Sequence, residues 1–487
     1  MFLQFILLAV TCALLYASRG LGAFNPVQMF LGGWLIVLGM AVSGMVIYEQ
    51  PFSTTTFILV LATLVSFVIG ASLAGGSRAP HRPDLQAPDP ACDRTTIGVL
   101  CALAGIGVFW IVKDLYGGGF AVLTNFTTES SRVRNDFWDD FASGNVDVSP
   151  VRSVGIVSCL ALATLFPYAT RFKLRFLQVA SAIGAVVVVL DSFLLAGRFS
   201  LAVLALCLLV SASLVYGGQS LRRILTVRRL TIGGLLCFYF FVVFPTQRNP
   251  LLAGSVERSL RYSGDAHFSD WVKSTSEVPG MSWLEVFAYS TSYFSTSLDK
   301  LNFFVTDTSA LSWYRLGLYN FTQASQVSGA FSDSVTPWQQ TRLDIAAIMR
   351  YEGWGLNPWS TGIRDLGIDF GLFGILFVGL LGFVARKVYD RSLAGKTYIG
   401  LIAASYVSIS CLIFAFISPF QIRVISNGFW LLALLLFVRF SSRHFALRRA
   451  TSGGLLNWRG PLKAPSRSQS HRWEKRNALI DDKANHR

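Results

Sequence analysis

Strongly apolar blocks of about 20 residues run almost end to end along this chain of 487 residues, and one long polar stretch, residues 247–365, interrupts them. A helix rising about 1.5 Å per residue needs a block of that length to cross roughly 30 Å of hydrocarbon. Inside hydrocarbon every backbone N–H and C=O must be satisfied within the protein, and continuous apolar runs do this as helices. The expected fold class is an all-α polytopic integral membrane protein. Composition agrees, with 53% hydrophobic and only 14% charged residues, where soluble domains average about 25% charged. The first block, Phe2 to Ala17, has no basic stretch before it and no small-residue cleavage site leading into a soluble domain. It is expected to be a retained helix and not a signal peptide.

About 11 spans are expected, near 2–18, 27–48, 55–75, 96–115, 151–169, 176–196, 199–217, 230–246, 366–386, 397–418 and 424–440. Basic residues collect in alternate loops: Arg19, then Arg78/Arg82/Arg94, Arg171/Lys173/Arg175, Arg222/Arg223/Arg228/Arg229, Arg386/Lys387/Arg391/Lys396 and the tail. The positive-inside rule places these in the cytoplasm, and the N-terminus and the long polar loop outside. The chain then divides into an N-terminal bundle of eight helices (1–246, with an external loop at 115–150) and a large external loop (247–365). Three C-terminal helices (366–440) and a basic cytoplasmic tail (441–487) complete it. The net charge of +15 lies partly in that tail, through Arg443, Arg448, Arg449, Lys463, Arg472, Lys475 and Arg476. With few aromatics and no recognisable module, the tail suits anionic membrane lipid better than nucleic acid.

A transporter rarely needs roughly a quarter of its chain on one face of the membrane, whereas an enzyme working on a large substrate there does. Six cysteines, Cys12, Cys101, Cys159, Cys207, Cys237 and Cys411, fall in apolar blocks and Cys92 in a short loop, so no disulfide staples the long loop. No Cys/His spacing suits zinc, and neither a metal nor a cofactor is expected. Within the long loop, Trp283–Tyr289 and Trp313–Tyr319 mix aromatic and polar residues and are expected to be amphipathic helices at the membrane interface.

Charges close to apolar runs are the candidate functional residues. Arg198 sits in Gly197-Arg198-Phe199-Ser200 between two apolar helices, with Asp191 about two turns below. A charge at the bilayer centre costs roughly 2.5–3.5 kcal/mol, which favours a protein interior or cavity; snorkelling to headgroups with local pairing to Asp191 is the structural alternative. The long loop and its exit carry Arg258, Arg261, Arg315, Arg342, Arg350 and Arg364. Guanidinium forks bind phosphate oxygens in bidentate fashion, and a lipid pyrophosphate is the anion found at that depth. Ion pairs with Glu257, Asp265, Asp344, Glu352 and Asp365 would be the plainer use. Glu285, Glu352, Asp365 and Asp369 are candidate general bases, and Asp369 could equally cap a helix. His267 is read as a surface residue.

Three motifs together resemble a known family. They are Asn25-Pro26-Val27-Gln28-Met29-Phe30 leading into a span, the Ala196-Gly197-Arg198-Phe199-Ser200 hairpin, and Asn357-Pro358-Trp359-Ser360-Thr361 followed by Asp369-Phe370-Gly371-Leu372-Phe373-Gly374. These motifs, with one large loop before the last spans, resemble the Wzy-type polymerases of bacterial O-antigen and exopolysaccharide repeat units. Arg342 to Gly353 also fits the Arg-x10-Gly pattern of an external loop in some members. The resemblance implies a GT-C-like, metal-independent, inverting glycosyltransferase of the bacterial cytoplasmic (inner) membrane. Donor and acceptor would both be undecaprenyl-pyrophosphate-linked oligosaccharides. Arg198, Arg261, Arg342, Arg350 and Arg364 would hold the pyrophosphate, and Asp369, Glu352 or Glu285 would take the hydroxyl proton. A chain-length regulator and a flippase would be its partners.

Two other readings share parts of this plan. An O-antigen ligase would use the same donor but a lipid A core acceptor, and would carry a histidine-centred loop motif that Asp265-Ala266-His267-Phe268-Ser269 matches poorly. A lipid-linked oligosaccharide flippase would line a path through its spans with charge, and here the spans are nearly free of it.

Overall fold

The computed structural model describes residues 2–21, 24–75, 90–120, 124–125, 150–194, 199–217, 231, 239–243, 256–257, 260, 266–306, 315–321, 340–341, 343–344, 361–394 and 397–456. Contacts divide the chain into residues 1–436, which hold nearly all of the helices, and residues 437–487. The described elements are mostly helical: α1 (Phe2–Ala17), α2 (Pro26–Val42), α3 (Thr54–Ala74), α4 (Pro90–Asp114), α5 (Pro150–Thr164), α6 (Phe166–Arg171), α7 (Arg175–Leu194) and α8 (Phe199–Tyr216). The series continues with α9 (Asp270–Ser276), α10 (Trp283–Thr306), α11 (Gly362–Phe370), α12 (Gly374–Ala394), α13 (Tyr398–Ile413) and α14 (Arg423–Leu456). Two three-residue strands, β1 (Val46–Tyr48) and β2 (Ala266–Phe268), pair antiparallel with Val46 opposite Phe268.

Among the described residues, seven helical segments are long and apolar enough to cross a membrane: Thr54–Ala74, Arg94–Gly117, Val151–Arg171, Arg175–Leu194, Phe199–Tyr216, Gly362–Ser392 and Val424–Ser441. Phe2–Ala17, Pro26–Val42 and Tyr398–Ile413 are apolar but shorter. These ten fall on ten of the expected spans. The other, 230–246, lies outside the described residues except for Thr231 and a helical turn at Tyr239–Val243.

Without a hydrophobic drive between helices in lipid, close packing of small residues brings them together. Gly70 of α3 faces the carbonyl of Gly379 on α12 so closely that a Cβ there would overlap it. Gly107 of α4 meets Gly155 of α5 in the same way, a Cβ at Gly107 falling 2.8 Å from the Gly155 carbonyl. Beside the α3–α12 seam, Phe30 of α2 stacks on Phe67 of α3 at 3.9 Å between ring centroids and meets Phe414 at the end of α13 at 5.7 Å.

One end of this bundle collects the start of α3, the end of α13 and the start of α11, and α10 is built into it. Asn302 of α10 accepts at Oδ1 from Ser53 N–H (2.8 Å) and Thr56 Oγ1 (2.9 Å), and its Nδ2 donates to the Pro51 carbonyl (3.0 Å). Gly362 N–H donates to the Phe414 carbonyl at 2.8 Å. We call this the site end.

The long loop differs from expectation in two places. Trp283–Tyr289 does not form a short surface helix but opens a 24-residue helix, buried along most of Val286–Phe304. The expected helix at Trp313–Tyr319 is, in its described part, a turn. Leu316 and Gly317 have φ of 52° and 91°, left-handed values that a right-handed helix does not accommodate.

Candidate functional site

At the site end, α11 carries the densest group of buried charge. The helix starts at Thr361, whose hydroxyl accepts the Arg364 N–H at 3.3 Å, an N-cap. It stops at Gly371, where φ is 58° and ψ −141°, a conformation open to glycine and strained for other residues. Its nine residues bring Arg364, Asp365 and Asp369 inside, at 3%, 0% and 0% exposure.

Buried charges persist only when paired and hydrogen-bonded. Arg364 donates from Nε (3.1 Å) and Nη2 (2.7 Å) to Asp365 Oδ1, and from Nη2 to the Tyr319 hydroxyl (3.2 Å). Its guanidinium lies 5.1 Å from the centre of the Phe304 ring, within cation–π range. The second oxygen of Asp365 accepts the Ser418 N–H at 3.0 Å. Asp369 accepts from Tyr319 N–H (3.0 Å), Asn320 N–H (2.9 Å) and Asn320 Nδ2 (2.6 Å). Arg315 N–H and Leu316 N–H donate to the carbonyls of Ile368 and Asp369, satisfying carbonyls that a helix end leaves open. The 315–321 turn is thereby clamped to α11.

From the other side α10 presents Lys300, which is fully buried, one helical turn before Phe304 and so on the same face. Burial holds its ammonium pKa well below the ordinary lysine value; the positive charge of Arg364 lowers it further, and Asp299 works in the opposite direction. Arg364 paired with Asp365, a buried lysine and an aromatic face are thus gathered where α10 meets α11. Lys300 was not picked out from sequence, although Asp299-Lys300 is the only charged pair in the run from Val286 to Thr306. That isolation was the available signal.

Of the arginines expected to bind pyrophosphate, Arg364 is in this cluster, and Arg198, Arg261, Arg342 and Arg350 lie outside the described residues. Among the carboxylates, Asp369 is buried and engaged by the three donors above. Glu285 stands half-buried in the first turn of α10 and accepts from the Ser276 hydroxyl at 2.6 Å, and Glu352 lies outside the described residues. Arg315 lies 3.6 Å from Asp344, with both side chains about one third exposed. His267 sits in β2 opposite Ile47. Asp191 accepts from Arg152 Nη2 at 2.9 Å, and Arg152 Nη1 also reaches Asp114 at 2.8 Å. That triad ties α4, α5 and α7 together. Among the described residues no group of three or more His, Cys, Asp or Glu side chains could hold a metal ion.

No protein family, curated protein or solved structure matches this chain.

Proposed function

We propose that this protein polymerises lipid-linked oligosaccharide repeat units at the outer face of a bacterial cytoplasmic membrane. The growing glycan passes from its undecaprenyl pyrophosphate to the non-reducing end of a new lipid-linked unit. The observation that carries this reading is the way α10, from the long polar loop, is built into the site end and sets Lys300 beside Arg364 and Phe304. A loop embedded in the bundle with buried basic side chains suits a large anionic substrate held at membrane depth. It does not suit a conduit, which needs charge along its spans.

In this mechanism the acceptor hydroxyl attacks the anomeric carbon and the lipid pyrophosphate leaves with the bonding electrons. Fixed guanidinium groups stabilise the developing phosphate charge where water is excluded. Arg364, with Arg198, Arg261, Arg342 and Arg350 of the external segments, supplies that positive field. Holding both lipid-anchored substrates in one orientation supplies much of the remaining acceleration. No metal takes part in this mechanism. A carboxylate, Glu285, Glu352 or Asp369, takes the hydroxyl proton.

Strand pairing supports the topology that the reading requires. β1 and β2 must lie on one side of the membrane to hydrogen-bond. Between them stand five described spans, α3, α4, α5 with α6, α7 and α8. An odd number cannot return the chain to the same side, which supports the further span expected at 230–246. The reading takes about 11 spans in a GT-C-like arrangement, with the N-terminus and the 247–365 segment outside and the tail in the cytoplasm.

The test is a gel of surface polysaccharide and lipid-linked intermediates from a strain lacking this protein. Collapse of the long-chain ladder to a single normally attached repeat unit is the expected result. Full-length chains left on the lipid carrier would mean a ligase, and repeat units held on the cytoplasmic face would mean a flippase.

A further inference from the structure

The α3–α12 seam fixes how deep the α11–α12 joint lies. Ser66 Oγ of α3 donates to the Ile375 carbonyl of α12 at 2.8 Å, and Gly70 meets Gly379 with the same offset. The two helices therefore run parallel and in register, which sets Leu372 level with Thr63; both border one small cavity. Thr63 stands nine residues past Thr54, the start of α3, or about 13 Å along the span. Leu376, Leu380 and Phe383 recur at helical spacing on α12 and stand exposed, the face that a span turns to lipid. Leu372 and Phe373, just before α12, are exposed as well.

The 315–321 turn is clamped beside this joint, well below the start of α3. Irregular backbone survives at such depth only where its polar groups are satisfied within the protein. Here every N–H of the turn is used. Arg315 and Leu316 donate to the carbonyls of Ile368 and Asp369, Leu318 to Arg315, and Phe321 to Gly317. Gly317, Tyr319 and Asn320 donate to the Asp369 carboxylate. One side chain of the turn stands out: Leu316 is 78% exposed, on a backbone with φ of 52°. A left-handed position facing water ordinarily carries Gly, Asn or Asp. A leucine held outward there gains nothing from water and suits hydrocarbon.

We propose that the 315–321 turn is embedded in the bilayer, its backbone closed by Asp369 and its Leu316 side chain set against the acyl chains of membrane lipid. The lipid-facing surface of α12 thus continues onto a piece of the long polar loop. Asp369 serves as the acceptor that lets a non-helical segment sit at that depth. Tyr319 of the same turn points inward and bonds Arg364, so the turn is a wall between the buried guanidinium and the lipid.

The test uses the full chain in nanodiscs of phosphatidylcholine and phosphatidylglycerol. No glycan substrate is added, so the outcome is independent of the polymerase reading. Hydrogen exchange on the unaltered protein comes first. Amides 315–321 should exchange at least about 100-fold more slowly than the same sequence as a free peptide. Exchange at the free-peptide rate would overturn the embedded turn, and this arm needs no variant. A dansyl amino acid is then placed at Leu316, or at the exposed Glu277 for comparison, with folding checked by size-exclusion chromatography. Lipid brominated on its acyl chains should reduce emission at position 316 about twofold or more, because the quencher is confined to the hydrocarbon. Aqueous iodide should quench there far less than at position 277. Iodide quenching as strong at 316 as at 277 would mean that Leu316 lines a water-filled cavity, and would overturn the lipid contact. Insensitivity to both quenchers would place the residue inside protein and overturn it too.

Discussion

Asn320 holds Asp369 twice, through its backbone N–H at 2.9 Å and its side-chain Nδ2 at 2.6 Å, and both residues are fully buried. The pairing joins a turn from the long loop to the last turn of α11. It explains how a polar segment outside the spans is locked to the helix that carries Arg364.

Asp369 is expected to act first on stability. Asp369→Asn turns an acceptor-only group into one that sets an amide against N–H donors, at a cost of about 2–4 kcal/mol. Thermal unfolding in detergent should show a lowered Tm. The surviving folded fraction should keep kcat within a few-fold. A large loss of kcat at unchanged Tm would return Asp369 to a role as base.

Arg364 should be intolerant of change in a graded way. Arg364→Ala leaves Asp365 buried without its cation, costing about 3–5 kcal/mol. Arg364→Lys keeps charge but loses the fork that reaches both Asp365 and Tyr319. Protein levels should fall sharply for the first variant and modestly for the second, and both should shorten the glycan ladder on gels of surface polysaccharide.

Lys300 makes stability depend on pH. Its folded pKa is lowered, chiefly by burial, so between that value and roughly 10.4 the unfolded chain binds more protons than the folded one. Stability therefore rises with pH through that window, by at most about 1.4 kcal/mol per unit. The penalty is complete below the folded pKa and gone above the unfolded one. Denaturant midpoints measured at stepped alkaline pH should climb for the unaltered protein and flatten for Lys300→Met.

Helix packing at Gly70 should tolerate no side chain. Gly70→Val would push its Cβ into the Gly379 carbonyl on α12, so α3 and α12 must separate. Yield of folded protein on size-exclusion chromatography should drop, whereas Gly39→Ala, where a Cβ meets nothing within 4 Å, should leave it unchanged.

How much of this was legible in sequence differs by feature. Apolar length located α3, α4, α7 and α8 within a few residues, because hydrocarbon thickness constrains each span on its own. Arg364 and Asp369 stood out as charges beside an apolar run. Lys300 did not, because the burial of α10 depends on α2, α3 and α11 closing around it. The Arg152–Asp191 pair joins residues 39 apart on different helices, and no spacing rule anticipates it. Aromatic–polar mixing at Trp313–Tyr319 suggests a helix but does not register Gly317, which with Leu316 turns the backbone left-handed in the described part.

The most direct measurement is extension by the purified protein alone. The full chain in nanodiscs, given only lipid-linked single repeat units, should produce a ladder of two, three and more units and release one lipid pyrophosphate per bond formed. Folded protein that leaves every unit single under those conditions would contradict the polymerase reading.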